Sequence, residues 1–178
     1  MAWKIFRPKP ADPSARPDKL TLAIRMRRMV AAQQKIDARP GFQRLQRRWC
    51  EPPTADELDQ RIADLAGGAE QRFDGADALA AALRAASESA PAGTATATFR
   101  DEPEARWIEA GSAGVLLSAV ATALPTLAAE VVLVAGDGVL VVDPAATRVT
   151  VHGDWPAEVH AALREELLGL GRELDRHA

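Results

Sequence analysis

Asp137, His152 and Asp154 are two carboxylates and an imidazole within eighteen positions of one another. Such a set can ligate a divalent cation or carry general acid–base chemistry. The strand pairing expected around them, argued below, draws all three toward one edge of a sheet. Each residue also has a plainer role. Asp137 sits between Gly136 and Gly138 in a turn, Asp154 precedes Trp155-Pro156 as a helix cap, and His152 ends a strand. Those roles account for the three residues without any reaction, so an enzyme built on this edge is the weakest of the functional readings.

Cys50 is a second candidate. It follows Trp49 and stands close to Arg44, Arg47 and Arg48, and nearby positive charge favours a thiolate. No histidine lies near it in sequence to act as its base, so a structural thiol is expected rather than a nucleophile. As the single cysteine, it excludes an intrachain disulfide and a cysteine-based zinc cluster. Neither Gly111-Ser-Ala-Gly114 nor Gly136-Asp-Gly138 has the spacing of a phosphate-binding loop. No nucleophile elbow, zinc-protease motif or calcium loop is present. No cofactor and no metal are implied.

The charge distribution is more informative. The first 50 residues hold thirteen Lys/Arg (Lys4, Arg7, Lys9, Arg16, Lys19, Arg25, Arg27, Arg28, Lys35, Arg39, Arg44, Arg47 and Arg48) against Asp12, Asp18 and Asp37. The net charge of −3 for the whole chain therefore hides a cationic arm on an acidic body. A segment so charged seeks an anionic surface, whatever the chain's total charge.

The elements that must carry these residues follow from periodicity. Pro8, Pro10, Pro13 and Pro17 make residues 1–17 an extended lead-in, with Trp3, Ile5 and Phe6 as apolar groups suited to docking. Asp18 can cap a helix in which Leu22, Met26, Met29, Val30 and Ile36 share one face while Arg25, Arg28, Lys35 and Arg39 share another. Pro40-Gly41 ends it. A second short helix is expected next, Phe42, Leu45 and Trp49 inward and Arg44, Arg47 and Arg48 outward. Glu51-Pro52-Pro53 then separates an arm, 1–53, from a body, 54–178.

In the body, Thr54 and Glu57 form a capping box for a helix bearing Leu58, Ile62 and Leu65. A further helix spans about Gly75 to Ser87, and the small-residue stretch Ser87–Gly93 is a candidate hinge between a helical part, 54–88, and a sheet part, 94–178. Thr94–Phe99 alternates as a strand does, and Ala105–Glu109 continues after the turn Asp101–Glu104. Ala110–Ala129 lacks any charge, but it is rich in Ala, Gly, Ser and Thr and is broken by Pro125. It reads as a buried helix and turn rather than a membrane span.

Glu130–His152 predicts a three-stranded meander. A loop at Pro144–Thr147 pairs Asp143 with Arg148, Val142 with Val149, Leu140 with Val151 and Val139 with His152. A loop at Gly136–Gly138 sets Val134 against Leu140 and Val132 against Val142. A final helix then opens near Asp154-Trp155-Pro156 and presents Val159, Leu163, Leu167, Leu170 and Leu174 to the apolar face. The expected class is α+β: an antiparallel sheet of four to five strands layered against helices and preceded by a basic helical arm.

Functionally, the sequence favours a non-enzymatic interaction module, an accessory subunit whose cationic arm engages a larger acidic protein. The contact residues are Trp3, Phe6, Arg25, Arg28, Lys35, Arg39, Arg44, Arg47 and Arg48. Nucleic-acid binding by the same helices is the alternative, although no helix-turn-helix, zinc finger or RNA-binding aromatic motif accompanies them. A third arrangement folds the arm onto the body's own acids, Asp56, Glu57, Asp59, Asp64, Asp101, Glu102 and Glu104. The opening Met1–Arg7 lacks the apolar core of a signal peptide, so a reducing, cytoplasmic setting is expected.

Overall fold

The computed structural model describes residues 19–51, 55–65 and 68–164. The protein is α+β, with seven antiparallel strands in one sheet. In chain order the elements are α1 (Lys19–Ala38), β1 (Arg47–Cys50), α2 (Ala55–Asp64), β2 (Ala69–Arg72) and α3 (Ala76–Glu88). They continue with β3 (Ala92–Phe99), β4 (Trp107–Ser112), α4 (Ala113–Ala123), β5 (Val131–Ala135), β6 (Gly138–Asp143), β7 (Arg148–His152) and α5 (Ala157–Arg164). The strand order is β1-β4-β3-β5-β6-β7-β2. Both edges of the sheet therefore come from the first 72 residues, and its interior from residues 92–152.

The β6–β7 hairpin has the expected register, with Asp143 opposite Arg148 and Val139 opposite His152. Arg148 holds Asp143 at 3.0 Å and Glu70 of β2 at 3.3 Å, so the cross-strand pair also ties in the sheet edge. The β5–β6 hairpin differs by one residue from expectation. Its loop is Gly136-Asp137 alone, which pairs Ala135 with Gly138, Val134 with Val139 and Leu133 with Leu140. Gly136 has φ +54, the conformation a two-residue loop of type II′ needs at its first central position. The slip exchanges the faces of β5. Val131 and Leu133 join Leu140, Val142, Val149 and Val151 in the main core, and Val132 and Val134 turn to the other side. Val131–Ala135 is apolar at every position, so alternation could not choose between registers; turn chemistry does.

The main core lies on the face covered by α3, α4, α5 and the end of α1. Leu79 and Leu83, Leu116 and Leu117, and Val159 and Leu163 supply the helical side. Leu167, Leu170 and Leu174 fall outside the described residues, as does Thr54 of the expected capping box. A smaller cluster covers the opposite face, where Leu58 and Ile62 of α2 and Leu65 just after it meet Val132, Val139, Val134, Val141 and Trp107. Arg100, pairing with Asp59 at 2.8 Å, pins α2 to the end of β3. Among the described residues no helix is long and apolar enough to cross a membrane. The uncharged stretch Ala110–Ala129 divides into the end of β4, the buried α4 capped by the Ser112 hydroxyl, and a 3-10 turn at Leu124–Thr126.

Two segments differ in kind from expectation. The chain after Gly41 does not form a second basic helix. Phe42 turns inward, fully buried, and Arg47–Cys50 pairs with β4 as a strand, setting Arg48 opposite Glu109 and Trp49 opposite Ile108. Ten residues between Pro-Gly and Pro-Pro are too few to sustain a helix alone, whereas β4 offers an open edge to bond. Ala69–Arg72 was not expected to be a strand, because Ala-Glu-Gln-Arg lacks the branched and aromatic residues that mark one. It is recruited by β7 through the full register Ala69–Val151 to Arg72–Arg148. These two edge strands raise the expected four or five to seven.

Candidate docking surface

The N-terminal helix holds the most distinctive surface of the molecule. Sequence periodicity assigned Leu22, Met26, Met29, Val30 and Ile36 to one inward face, but the body meets that face only near its C-terminal end. Ala32 and Ile36 are buried, whereas Leu22, Met26 and Val30 stand 50%, 54% and 44% exposed. Leu20 and Ile24 leave the helix on a different side and are exposed as well. Five of the six exposed large hydrophobic side chains among the described residues therefore belong to this one helix; the sixth is Val115 on α4. Apolar groups gathered so densely on a surface mark a contact site more often than chance exposure.

The cationic residues on and after α1 fall into two groups. Arg28, Lys35 and Arg39 reach the Asp101–Glu104 turn, pairing with Glu104 at 3.4 Å, Glu102 at 3.0 Å and Asp101 at 2.7 Å. The helix is thus fixed to the body by three ion pairs of increasing burial. Arg39 is the deepest: its guanidinium also lies 4.8 Å above the Phe99 ring, which meets Phe42 edge to face. Arg47 is engaged locally, donating to the carbonyls of Phe42 and Leu45 and pairing with Asp37. Arg48 pairs with Glu109 across the strands, and that neighbour raises its pKa through a side-chain hydrogen bond and charge. Arg25, Arg27 and Arg44 have no ion-pair partner among the described residues. Trp3 and Phe6 lie outside them.

Beside the exposed stripe runs an open groove of about 560 Å³, lined by Leu22, Arg25, Met26 and Met29 of α1 and by Glu104 and Arg106. Sequence reasoning missed it because its second wall comes from a segment 75 or more residues away. The signal that could have found it was the excess of apolar groups over what one buried helix face needs.

The other candidates resolve differently. Asp137 lies in a groove with Asp56, Glu57, Gln60, Arg61, Asp64 and Leu65 of the α2 side, where neither His152 nor Asp154 contributes. The imidazole of His152 instead packs against Gly68, and no group of three or more metal-ligating side chains occurs among the described residues. At Cys50 only the expected effect of nearby positive charge is reversed. Its thiol pKa is raised, first by burial and then by the carboxylate of Glu109, which outweigh Arg48. Its Sγ–H points to the Trp107 carbonyl at 3.5 Å. Alkylation of Cys50 by iodoacetamide at pH 8 is accordingly expected to be slower in the folded chain than in urea. Glu109→Gln should accelerate the folded-state reaction, and an unchanged rate would remove the carboxylate from the account.

No family model, curated protein or solved structure matches this chain.

Proposed function

We propose that the protein is a non-enzymatic interaction module, an accessory subunit that docks on an acidic protein through the first three turns of α1. The supporting observation is the coincidence there of Leu20, Leu22, Ile24, Met26 and Val30, all exposed, with Lys19, Arg25, Arg27 and Arg28. An apolar cluster drives association by leaving water, and surrounding charge selects the partner and steers the encounter. Because Arg28, Lys35 and Arg39 pair with the body, the contact centres on Arg25 and Arg27, and the ion pairs hold the helix in position for it. This merges the docking reading with the self-neutralised one: the C-terminal half of the helix is clamped and the N-terminal half is presented. A cytoplasmic location belongs to the same proposal, resting on a single, half-buried, unpaired cysteine.

Nucleic-acid binding remains the second reading, favoured by the cations alone. It leaves the five exposed apolar groups without a purpose, since phosphate contacts need none. The full chain, tagged at its C-terminus, is to be recovered from native lysate with and without nuclease. The expected result is an acidic protein that co-purifies despite nuclease and is lost with the double variant Arg25→Glu/Arg27→Glu. Both arginines are exposed and have no ion-pair partner among the described residues, so the variant should keep its melting temperature, with a stability change within about 0.5 kcal/mol. Recovery of nucleic acid alone, with affinity falling about a thousandfold between 50 and 200 mM salt, would establish the alternative.

A further inference from the structure

We propose that the partner element is an acidic amphipathic α-helix laid in the groove between the N-terminal half of α1 and the Glu104–Arg106 segment. The inference rests on the protein-docking reading above and specifies what enters the site. Leu22, Met26 and Met29 are spaced by four and three residues, the interval of a helix-packing seam. Gln33 and Ile36 continue that interval, and Ile36 is already buried against the body. The same stripe thus packs inside the protein at its C-terminal end and stands open at its N-terminal end. A second helix lying along the open part would extend packing the fold already uses.

Backbone chemistry points the same way. The backbone of α1 is bonded within its own helix and offers no ladder to an extended peptide. A strand placed in an apolar groove would bury its amide groups without partners, whereas a helix brings its own hydrogen bonds. The two methionines of the seam suit a helical ridge, because their flexible side chains adapt to an irregular surface.

Charge decides between occupants. The first three turns of α1 carry Lys19, Arg25, Arg27 and Arg28 and no carboxylate, while the far wall holds Glu104, paired with Arg28, and Arg106, paired with Glu51 at 3.6 Å. The positive end of the helix dipole lies there too. A second copy of this chain would bring the same cations face to face, and residues 1–18 are themselves net positive. A membrane-surface helix needs one apolar face opposite one charged face. On α1, Leu20 and Ile24 lie on a different side from Leu22, Met26 and Val30, and Arg27 falls between the two groups. An acidic helix with an apolar stripe complements the Leu22–Met26–Met29 seam and the cations beside it, and the one carboxylate of the groove, Glu104, is already paired with Arg28.

The test places a photo-crosslinking benzoyl-phenylalanine at position 26 of the full chain, illuminates native lysate and maps the crosslinked residues by mass spectrometry. The expected site lies in another protein, within a segment bearing apolar residues three and four apart flanked by carboxylates. That segment, synthesised as a peptide, should gain helical circular dichroism on binding. It should bind Met26→Glu at least tenfold more weakly than the parent chain, and Val115→Glu, altered at the exposed apolar residue of α4, as tightly as the parent. Crosslinking to an extended or basic protein segment would overturn the helix and leave the docking reading standing. Crosslinking only to nucleic acid or lipid would overturn both. Capture of a second copy, of this chain's own residues 165–178, or of nothing would show that the groove does not receive a partner helix.

Discussion

Replacing Arg39 by methionine is expected to destabilise the protein by about 3–5 kcal/mol, the usual cost of breaking a buried ion pair from one side. Its side chain is 10% exposed and that of Asp101 17%, so neither charge regains water when the other is removed. The pair is joined by a single hydrogen bond of 2.7 Å, leaving Nη1 of Arg39 and Oδ1 of Asp101 buried without a hydrogen-bond partner. A half-satisfied pair of this kind contributes little net stability, yet it is costly to disrupt. Removing both charges should therefore be milder than removing one. Arg39→Met/Asp101→Leu is expected to recover much of the loss in a urea titration. Arg28→Glu offers the contrast: Arg28 and Glu104 are 66% and 48% exposed, so reversing the charge should move stability by less than about 1 kcal/mol. Equal effects from the two arginines would mean that burial does not govern this clamp.

Gly41→Ala is expected to cost about 3 kcal/mol, through two separate penalties. The residue has φ +83, where an L side chain is strained by about 1–2 kcal/mol. A Cβ there would also stand 2.5 Å from the Ala119 carbonyl oxygen and 3.0 Å from its Cα, both backbone atoms of α4 that cannot swing aside. Crowding of that kind adds about 1–3 kcal/mol. For a chain of this size the melting temperature should fall by roughly 6–12 °C. Gly93→Ala is the informative control, since Gly93 has φ +104 but nothing within 4 Å of its would-be Cβ. It should pay the strain and escape the crowding. If both substitutions cost the same, the approach of the Gly41 turn to α4 is not a tight one.

Pro40-Gly41 was legible as a helix stop, but the reason for the glycine was only half legible. Local sequence reports that the chain must turn; it does not report that α4, nearly 80 residues on, closes over the turn. The same division recurs across the fold. Asp143 and Arg148 could be paired by eye because their partners lie five residues apart and the intervening loop is short. The faces of Val131–Ala135 could not be assigned, because a strand covered on both sides shows no alternation. Arg47-Arg48-Trp49 resembled a helix continuing the basic pattern. Its conversion to a strand depends on Glu109 and Ile108 of β4, which no local window contains. Ala69–Arg72 is a strand by recruitment alone.

For the docking surface, the sequence revealed the residue types and misplaced their exposure. Leu22, Met26 and Val30 fit the stripe expected of a buried helix, and only the reach of the body along α1 leaves them open. The cations divide on the same principle. Arg28, Lys35 and Arg39 are near the Asp101–Glu104 turn and are drawn to it, and Arg25 and Arg27 are not. The acidic turn was recognisable as a possible anchor for the arm, but which residues it would engage depends on the tilt of a helix more than 60 residues upstream.

Placing both edge strands early in the chain has a consequence for synthesis. β1 and β2 leave the ribosome long before the strands that receive them. Arg148, the partner of Glu70, follows it by 78 residues, which at about 5–20 residues per second amounts to roughly 4–16 s of waiting. The cationic arm waits as well, since Arg39 precedes its partner Asp101 by 62 residues. The central strands can pair among themselves as they emerge, through hairpins of short separation. The nascent protein should therefore close from the middle of its sheet outward, its first-made segments becoming its last-placed ones.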